Sequence, residues 1–200
     1  MAKPDDFQWQ LGEPLPGDRA VRRSSDRLAG KRVGLCVTGG IAAFRTPGLA
    51  RELRRAGAEV FAFATPAAMQ FVTVDALEWT TLHPLVQALD GRAQHVEAAL
   101  DVYLVAPATY STLNKLAAGI ADNAVTTTLA SALGLVEQGK AQVLLAPTMH
   151  GSMVNAILRA NLARLADLGC QVILPLGRDG KALLPDDATL VDAVARALGR

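Results

Sequence analysis

The sequence predicts a single α/β domain in which a parallel β-sheet lies between two layers of helices. From residue 31 onward, short apolar runs alternate with longer segments of helical periodicity. Several runs are continuously apolar, which is typical of strands buried on both faces of a parallel sheet. Two hundred residues, 50% of them hydrophobic, suffice for one sizeable core, and this length favours one domain over two.

The first βαβ unit is predicted in the segment that begins with "RVGLCVT". This run has the composition of a buried strand, "FRTPGLARELRRAG" has helical periodicity, and "AEVFAFAT" is the next strand. Three later apolar runs, "VYLVAPAT", "AQVLLAP" and "CQVILPL", are predicted as further strands of the same sheet. The alternation predicts a Rossmann-like, doubly wound three-layer sandwich, whose ligands bind at the carboxyl ends of the strands.

The first thirty residues differ in composition from the rest of the chain. They are rich in proline, glycine and charge, and they show neither helical nor strand periodicity. We therefore expect a loosely ordered N-terminal extension over residues 1–30 and a folded, ligand-binding domain over residues 31–200.

Composition excludes several functional classes. The formal net charge is +1 and no basic face is concentrated in the sequence, which argues against nucleic acid as a partner. No signal peptide and no apolar window of membrane-spanning length is present, so we expect a cytoplasmic protein. Cys36 and Cys170 both lie in apolar runs, which favours reduced, buried thiols over a disulfide or a metal site.

The stretch "CVTGGIAAFR" leaves the first strand through two adjacent glycines, Gly39 and Gly40. Glycines here let the backbone approach a ligand closely, and the following helix offers N–H groups and a positive dipole end to an anion such as phosphate. A tight turn in which the glycines serve only backbone geometry explains the pattern equally well. Neither G-x-G-x-x-G nor G-x-x-x-x-G-K-[ST] is present, which argues against NAD and ATP and leaves FMN open.

Three long segments together resemble the flavin-dependent cysteine decarboxylase family, which includes the phosphopantothenoylcysteine decarboxylases. They are "VTGGIAAFRTPGLARELRRAGAEVFAFATPAAMQFVT", "HVEAALDVYLVAPATYSTLNKLAAGIADNAVTTT" and "VLLAPTMHGSMVNAILRANLARLADLGCQVILP". The likeness runs from about Lys31 to about Pro175. It implies a flavodoxin-like fold, FMN as cofactor, and a homo-oligomer, a trimer or a multiple of trimers, whose site lies at a subunit interface.

The resemblance also implies which residues contact FMN. The phosphate is expected at the first loop, with a hydroxyl from the loop after the second strand: Gly39, Gly40, Ile41, Ala42 and Thr65. The flavin ring or ribityl chain is expected at the loop within "APATYSTLNK": Pro107, Ala108, Thr109, Ser111 and Thr112. From the residues alone, Thr109 and Thr112 are expected to cap a helix that begins near Leu113, and the two roles are compatible.

His95 is the expected catalytic residue, because it leads the segment "HVEAALD" that matches the family's active-site histidine. An imidazole titrates near neutrality and can accept a proton at working pH. Met149 and His150 are the expected substrate-binding residues, since "PTMH" stands where the family has "PAMN". His150 is either a second acid–base group or carboxylate anchor, or a loop histidine bonded to backbone; both readings stay open.

We expect no catalytic role for three other titratable residues. His83 is expected to be a loop residue, and Glu97 and Asp101 are expected on a helix, either on its surface or interacting with its dipole.

The resemblance implies an oxidative decarboxylation of a small-molecule or peptidyl cysteine substrate. Two alternatives remain. A flavin prenyltransferase-like enzyme shares the fold but has "SGA" in the first loop and arginine where Thr148 stands; the other alternative is a non-decarboxylating FMN-binding subunit. The tail "LPLGRDGKALLPDDATLVDAVARALGR" has no cysteine, so we expect the family's reductive flap to be missing.

Overall fold

The structure is a computed structural model that describes residues 12–89 and 100–199. Its strands, numbered in chain order, are β1 Arg32–Val37, β2 Glu59–Ala64, β3 Val102–Ala108, β4 Gln142–Pro147, β5 Met149–His150, β6 Gln171–Val172, β7 Leu176–Arg178 and β8 Lys181–Leu183. Five of them form a parallel sheet in the order β2-β1-β3-β4-β6. This is the flavodoxin-like strand order. The predicted α/β fold is confirmed.

Helices cover both faces of this sheet. They are α1 Thr46–Arg55, α2 Val74–Thr81, α3 Tyr110–Ala117, α4 Ala124–Glu137, α5 Ala156–Asp167 and α6 Asp187–Ala197. Alternate residues of β1 point to opposite faces. Leu35 therefore packs in one apolar cluster with residues of α1, α2 and α6, whereas Cys36 packs in the other with residues of α3, α4 and α5.

Two predicted elements are shorter than the sequence suggested. A 3₁₀ turn, Ile41–Arg45, precedes α1, so the α-helix begins at Thr46 and not at Phe44. The run "CQVILPL" contributes only Gln171–Val172 to the parallel sheet. Pro175 has no N–H for a sheet ladder and Leu174 is 81% exposed, so the chain leaves the sheet at its edge.

The C-terminal tail, in which we expected no flap, contributes two strands to a small antiparallel sheet. The strand order in this sheet is β5-β8-β7. Strands β7 and β8 form a hairpin closed by Asp179 and Gly180, whose φ angles are 49° and 67°. Positive φ at both central residues is the geometry that suits the twist of a two-residue hairpin. The segment is therefore present as a hairpin, although it contains no cysteine.

The N-terminal part of the chain is described from residue 12 and lies along the amino edge of the sheet. Leu28 is fully buried in the core, and its N–H donates to the carbonyl of Ala56 at 2.8 Å. Asp101 lies at the same edge, just before β3, and not on a helix surface as expected. Its carboxylate accepts from the Arg32 N–H at 2.8 Å and from Lys31 Nζ at 3.0 Å.

At the carboxyl edge, Thr38 joins the ends of β1 and β3. Its side chain is fully buried, and its hydroxyl donates to the carbonyl of Pro107 at 2.6 Å. The same oxygen accepts from the Thr109 N–H at 3.1 Å. The chain continues from β1 to β2 on one side and returns with β3 on the other, so Thr38 lies at the point where the strand order reverses. Ligands of doubly wound sheets bind in the crevice at this point.

Replacing Thr38 by valine keeps the shape of the side chain and removes its hydroxyl. We expect a loss of about 1–3 kcal/mol in the free energy of unfolding, because the buried Pro107 carbonyl and the partly buried Thr109 N–H lose their partner. Urea unfolding followed by circular dichroism measures this loss.

Thr128→Val is the matched control. Thr128 is also buried, but its Oγ1 has no hydrogen-bond partner within the described ranges. Exchanging that hydroxyl for a methyl group should be neutral or stabilising. Equal effects at the two positions would contradict the role given to Thr38.

Candidate functional site

A cavity of about 760 Å³ lies at the carboxyl edge of the parallel sheet. Its walls come from the loops after β1, β2, β3 and β4 and from the hairpin strand β8, which correspond to residues 39–41, 65–67, 109–112, 148–150 and 181–183. Cofactor and ligand pockets are typically about 300–1,000 Å³. The cavity is thus large enough for a cofactor and is located at the switch point of the sheet.

Most of the residues expected from sequence meet in this cavity. Those that line it are Gly39, Gly40, Ile41, Thr65, Thr109, Ser111, Thr112, Met149 and His150. Three others do not line it: Ala42 is buried in the apolar core, and Pro107 and Ala108 are buried within β3. These three residues belong to the segments that resemble the family, but they pack in the protein interior, behind the residues that line the cavity. His95 lies outside the described residues.

The two glycines of the first loop have different surroundings. A Cβ atom on Gly39 would lie 2.4 Å from Cβ of Ala67, so packing against the turn after β2 is enough to require glycine there. A Cβ atom on Gly40 would lie 3.2 Å from Cγ2 of Thr109, at the wall of the cavity. A larger residue at Gly40 would therefore narrow the space between the first and third loops.

The first loop offers hydrogen-bond donors without a competing acid. The Ile41–Arg45 turn has no side-chain cap and no acidic residue in its first turn. Thr65 Oγ1 accepts from the Ala68 N–H at 3.3 Å, which leaves the hydroxyl proton of Thr65 to donate elsewhere. Backbone N–H groups and hydroxyls are the donors that bind phosphate at such turns. This donor set fits the phosphate of FMN.

The third loop adds a row of hydroxyls. Helix α3 begins at Tyr110, earlier than expected, and the Thr109 side chain does not cap it. The Thr109 hydroxyl instead lies 3.1 Å from Thr38 Oγ1 and 3.2 Å from Thr112 Oγ1. The expected capping role of this side chain was wrong, because the Thr38 hydroxyl, bonded to the Thr109 backbone, draws it toward β1.

The rest of the cavity wall is largely apolar, with one paired carboxylate. Pro66, Ala67, Met149, Met153 and Leu183 supply apolar surface that suits a flat ring. The described lining contains one acid, Asp122, and its Oδ2 lies 2.5 Å from Lys115 Nζ. This hydrogen bond holds the pKa of Asp122 below its ordinary value. The cavity therefore presents little uncompensated negative charge to an anionic ligand.

His150 stands at the exposed end of β5. Its Nδ1 accepts from the Ser152 N–H at 3.2 Å and lies 2.8 Å from Ser152 Oγ. Because Nδ1 acts as an acceptor, we assign the proton of the neutral ring to Nε2. In this tautomer His150 offers one N–H donor, at Nε2.

The hairpin that covers one side of the cavity is attached at both ends. At its turn, the Gly151 N–H donates to the Gly180 carbonyl at 2.8 Å, and a Cβ on Gly151 would lie 2.3 Å from that oxygen. Beyond its base, Arg45 donates to the carbonyls of Leu184 at 3.0 Å and Pro185 at 2.9 Å. Arg45 also pairs with Asp187 at 2.8 Å. The guanidinium thus joins the first loop to the chain that follows the hairpin.

Sequence reasoning missed the hairpin, Arg45 and Thr38. The dipeptide Asp179-Gly180 was an available signal, since Asp-Gly between short strand-like runs is a strong hairpin pattern. Arg45 could be recognised only as a basic residue in the last turn of a short helix. Its partners Leu184 and Pro185 lie 139 and 140 residues further along the chain, so no local pattern reveals them.

His83 lies outside the cavity. It stacks on Phe61, with ring centroids 4.2 Å apart, and its Nε2 lies 3.2 Å from Glu59 Oε1. This position beside β2 agrees with a structural loop residue.

A second cavity, of about 660 Å³, lies at the opposite, amino edge of the sheet. Two of its arginines, Arg19 and Arg54, already donate to backbone carbonyls, and Arg23 pairs with Asp26 at 2.8 Å. Arg19 Nε donates to Trp79 O at 3.2 Å, and Arg54 Nη1 donates to Arg19 O at 3.1 Å and to Thr80 O at 2.9 Å. These contacts attach the N-terminal segment to the domain.

Neither thiol reaches the site. Burial raises the pKa of Cys36 to about 12 and that of Cys170 to about 11, and both lie in the apolar cluster under α3, α4 and α5. Within residues 12–89 and 100–199 there is no group of three or more side chains arranged to hold a metal ion. The same ranges contain no helix long and apolar enough to cross a membrane.

Curated relatives and solved structures resemble this chain over most of its length. The coenzyme A biosynthesis bifunctional protein CoaBC of Thermococcus kodakarensis is 36% identical over 181 residues, which is 87% of this chain and 44% of the relative. The chain therefore spans less than half of that protein. The corresponding protein of Escherichia coli is 34% identical over 179 residues, 82% of this chain and 42% of the relative.

Two solved structures are FMN-dependent cysteine decarboxylases. TvaF, from thioviridamide biosynthesis, has a TM-score of 0.72 and 30% identity, covering 86% of this chain and 100% of its own. SpaF has a TM-score of 0.73 and 27% identity, covering 86% of this chain and 97% of its own. The Flavoprotein family profile matches residues 21–199. The resemblance seen in sequence is thereby confirmed: the chain belongs to the flavoprotein family.

Proposed function

We propose that this chain is an FMN-dependent decarboxylase acting oxidatively on a cysteine-containing carboxylate. One observation carries the proposal: a single cavity at the switch point holds both the donor-rich first loop and the "PTMH" segment. A phosphate-binding loop and a substrate segment in the same cavity would hold cofactor and substrate against each other. The relatives CoaBC, TvaF and SpaF support the same reaction class.

In this proposal the FMN phosphate would be held by the N–H groups of Gly39 and Ile41 and by the Thr65 hydroxyl, since the Gly40 N–H already donates to the Thr38 carbonyl at 2.8 Å. The hydroxyls of Thr109, Ser111 and Thr112 contact the ribityl chain or the ring. FMN held there would supply a two-electron acceptor for oxidation of the cysteine side chain, which prepares the substrate to lose carbon dioxide. Ala42, Pro107 and Ala108 support these loops from behind.

The protein's own part in the chemistry is to move a proton and to hold the carboxylate. We assign proton removal from the substrate to His95, by the match of "HVEAALD" to the family. His150 donates its Nε2–H to the carboxylate that leaves, and Met149 packs against the substrate. A neutral donor suits this position because the carboxylate loses its charge in the reaction.

We also propose that the site is completed by further copies of the chain in a trimer or a multiple of trimers. Ile41 and Met153 line the cavity, and Ile41 is 70% exposed. Phe44, Val154 and Ile157, which neighbour them in sequence, are exposed as well. An apolar surface around a cofactor cavity is costly in water and is covered by a second subunit in symmetric oligomers.

Two further features bear on location and on the alternatives. The two unpaired, buried cysteines support a reducing compartment, which we take to be the cytoplasm. Thr148 donates to the Ala146 carbonyl at 3.2 Å and carries no charge, which disfavours a prenyltransferase that uses arginine there. A flavin-binding subunit without decarboxylase activity is separated from the proposal by the turnover experiments below.

Purified protein should carry FMN and form a trimer or a multiple of trimers. The visible spectrum and the mass from light scattering measure both properties. Gly40→Val should lose FMN, because the added side chain enters the space beside Thr109. Gly134→Ala, where a Cβ would meet nothing within 4 Å, is the matched control and should keep it. A colourless monomer that fails to take up added FMN would refute the proposal.

His95→Asn should retain FMN and lose turnover by about 10²–10⁴-fold, the usual contribution of general acid–base catalysis. The cofactor contacts belong to other loops, so the flavin spectrum should be unchanged. Release of carbon dioxide from an N-acylcysteine substrate measures turnover. Full activity in this variant would assign the proton transfer to another group.

The product should be the unsaturated enethiol, with loss of carbon dioxide and two hydrogens, and dioxygen should reoxidise the flavin. No thiol lines the described cavity, and both cysteines are buried with raised pKa values. Mass spectrometry under air and under anaerobic conditions tests this: without oxygen, product should stop at about one equivalent per flavin. A product two mass units heavier that forms equally well without oxygen would show that another group completes a reduction.

A further inference from the structure

The cavity at the amino edge of the sheet has no part in the proposed reaction. Its volume of about 660 Å³ falls within the usual range of ligand pockets, about 300–1,000 Å³. The N-terminal segment, the turn after α1 and the end of α2 form its walls, and they bring Arg19 and Arg54 together with two apolar side chains, Trp79 and Leu82. None of these four residues lines the cavity at the carboxyl edge. A ligand bound here would therefore be distinct from the substrate.

Backbone carbonyls hold the two guanidinium groups in place. Arg54 Nη1 donates to Arg19 O at 3.1 Å and to Thr80 O at 2.9 Å. Arg19 donates through Nε and Nη2 to the carbonyls of Trp79 and Glu78. A guanidinium has five N–H groups, and within the described part of the chain Nε and Nη2 of Arg54 and Nη1 of Arg19 have no acceptor. These donors are fixed in position and available to a ligand.

The charge of this arginine pair is not cancelled by acids. Burial lowers the pKa of Arg54, and the nearby charges of Arg51 and Arg19 lower it further, although an arginine remains charged despite such a shift. No carboxylate in residues 12–89 and 100–199 forms an ion pair with any of these three arginines. Asp18 is the acid of the described lining, and a single carboxylate is outnumbered by three guanidinium groups. The cavity therefore attracts anions.

An apolar surface lies beside these cations. Trp79 is 47% exposed and Leu82 is 46% exposed, although both are large apolar side chains. Arg19 Cζ lies 5.6 Å from the centroid of the Trp79 ring, so the indole and the charge belong to one site. An organic group placed against this surface would remove apolar area from water, which is favourable.

We propose that this cavity binds a phosphate monoester, with the phosphate at Arg19 and Arg54 and the organic part against Trp79 and Leu82. Guanidinium groups match phosphate oxygens with pairs of parallel hydrogen bonds. A phosphate monoester carries a charge of about −1.5 to −2 at neutral pH, which suits two guanidinium groups better than one. The ligand would also join the N-terminal segment, through Arg19, to α1, through Arg54. The inference goes beyond the proposed decarboxylase function and does not depend on it.

Calorimetry with phenyl phosphate, inorganic phosphate and phenol tests the proposal. The full-length protein is used as purified and freed of excess FMN. Phenyl phosphate should bind, and inorganic phosphate should bind about 10-fold more weakly, because it has no ring to bury against the indole. Phenol should not bind measurably, because it lacks the anionic group. The chain has two tryptophans, so in a Trp9→Phe background phenyl phosphate should change the fluorescence of Trp79.

Arg54→Gln should weaken the binding of phenyl phosphate about 10-fold or more, the range expected for a charged hydrogen bond. Arg54→Lys should recover part of the affinity, since it keeps the charge and loses the planar fork. Arg164→Gln is the matched control and should leave the affinity unchanged. Arg164 is likewise an arginine in the last turn of a helix, α5, but it is exposed outside this cavity.

A second variant keeps the test independent of folding, because Arg54 also holds two carbonyls. Arg51 donates no hydrogen bond within the described residues, so Arg51→Gln should fold normally and weaken phenyl phosphate about 2–5-fold by removing a nearby charge. Failure of phenyl phosphate to bind the wild-type protein, or equal affinities for the two phosphates, would overturn the proposal. Loss of binding in Gly40→Val but not in the Arg54 and Arg51 variants would place the phosphate at the first loop and overturn it as well.

Discussion

The buried hydroxyl of Thr38 connects the two strands between which the site forms. It donates to the Pro107 carbonyl, near the end of β3, and accepts from the N–H of Thr109, the residue that follows β3. The crevice at a switch point exists because the loops after β1 and β3 diverge, and this pair of hydrogen bonds fixes where the divergence begins. The positions of Gly40 and Thr109 across the cavity depend on it.

Above this junction the polar groups are arranged by charge. Neutral donors, the backbone of the first loop and the hydroxyls of the third, lie toward the sheet, whereas the ammonium of Lys181 lies on the hairpin. The one acid of the described lining, Asp122, is compensated by Lys115. No acid of the described lining is therefore left without a compensating charge.

The sequence predicted the parts of the fold that repeat a pattern over many residues. The apolar runs of β1 to β4 are continuous enough to identify buried parallel strands, and their ends located the cavity. The hairpin was missed because β7 and β8 have three residues each, too few for any periodicity. Thr38 was not singled out because a threonine at the end of a strand resembles any other. Ala42, Pro107 and Ala108 lie in the matching segments, but only the fold shows that their side chains pack inward.

The contacts of the Arg45 guanidinium have a thermodynamic consequence. One guanidinium ends the turn that would hold a phosphate and also binds the chain after the hairpin, through Leu184, Pro185 and Asp187. A ligand that orders the turn therefore reduces the entropy lost when the hairpin is held over the cavity. Linkage is reciprocal, so a molecule enclosed beneath the hairpin strengthens the hold on the ligand at the turn by the same factor. The two halves of the cavity, although built more than a hundred residues apart in the chain, are thus joined by the contacts of a single side chain.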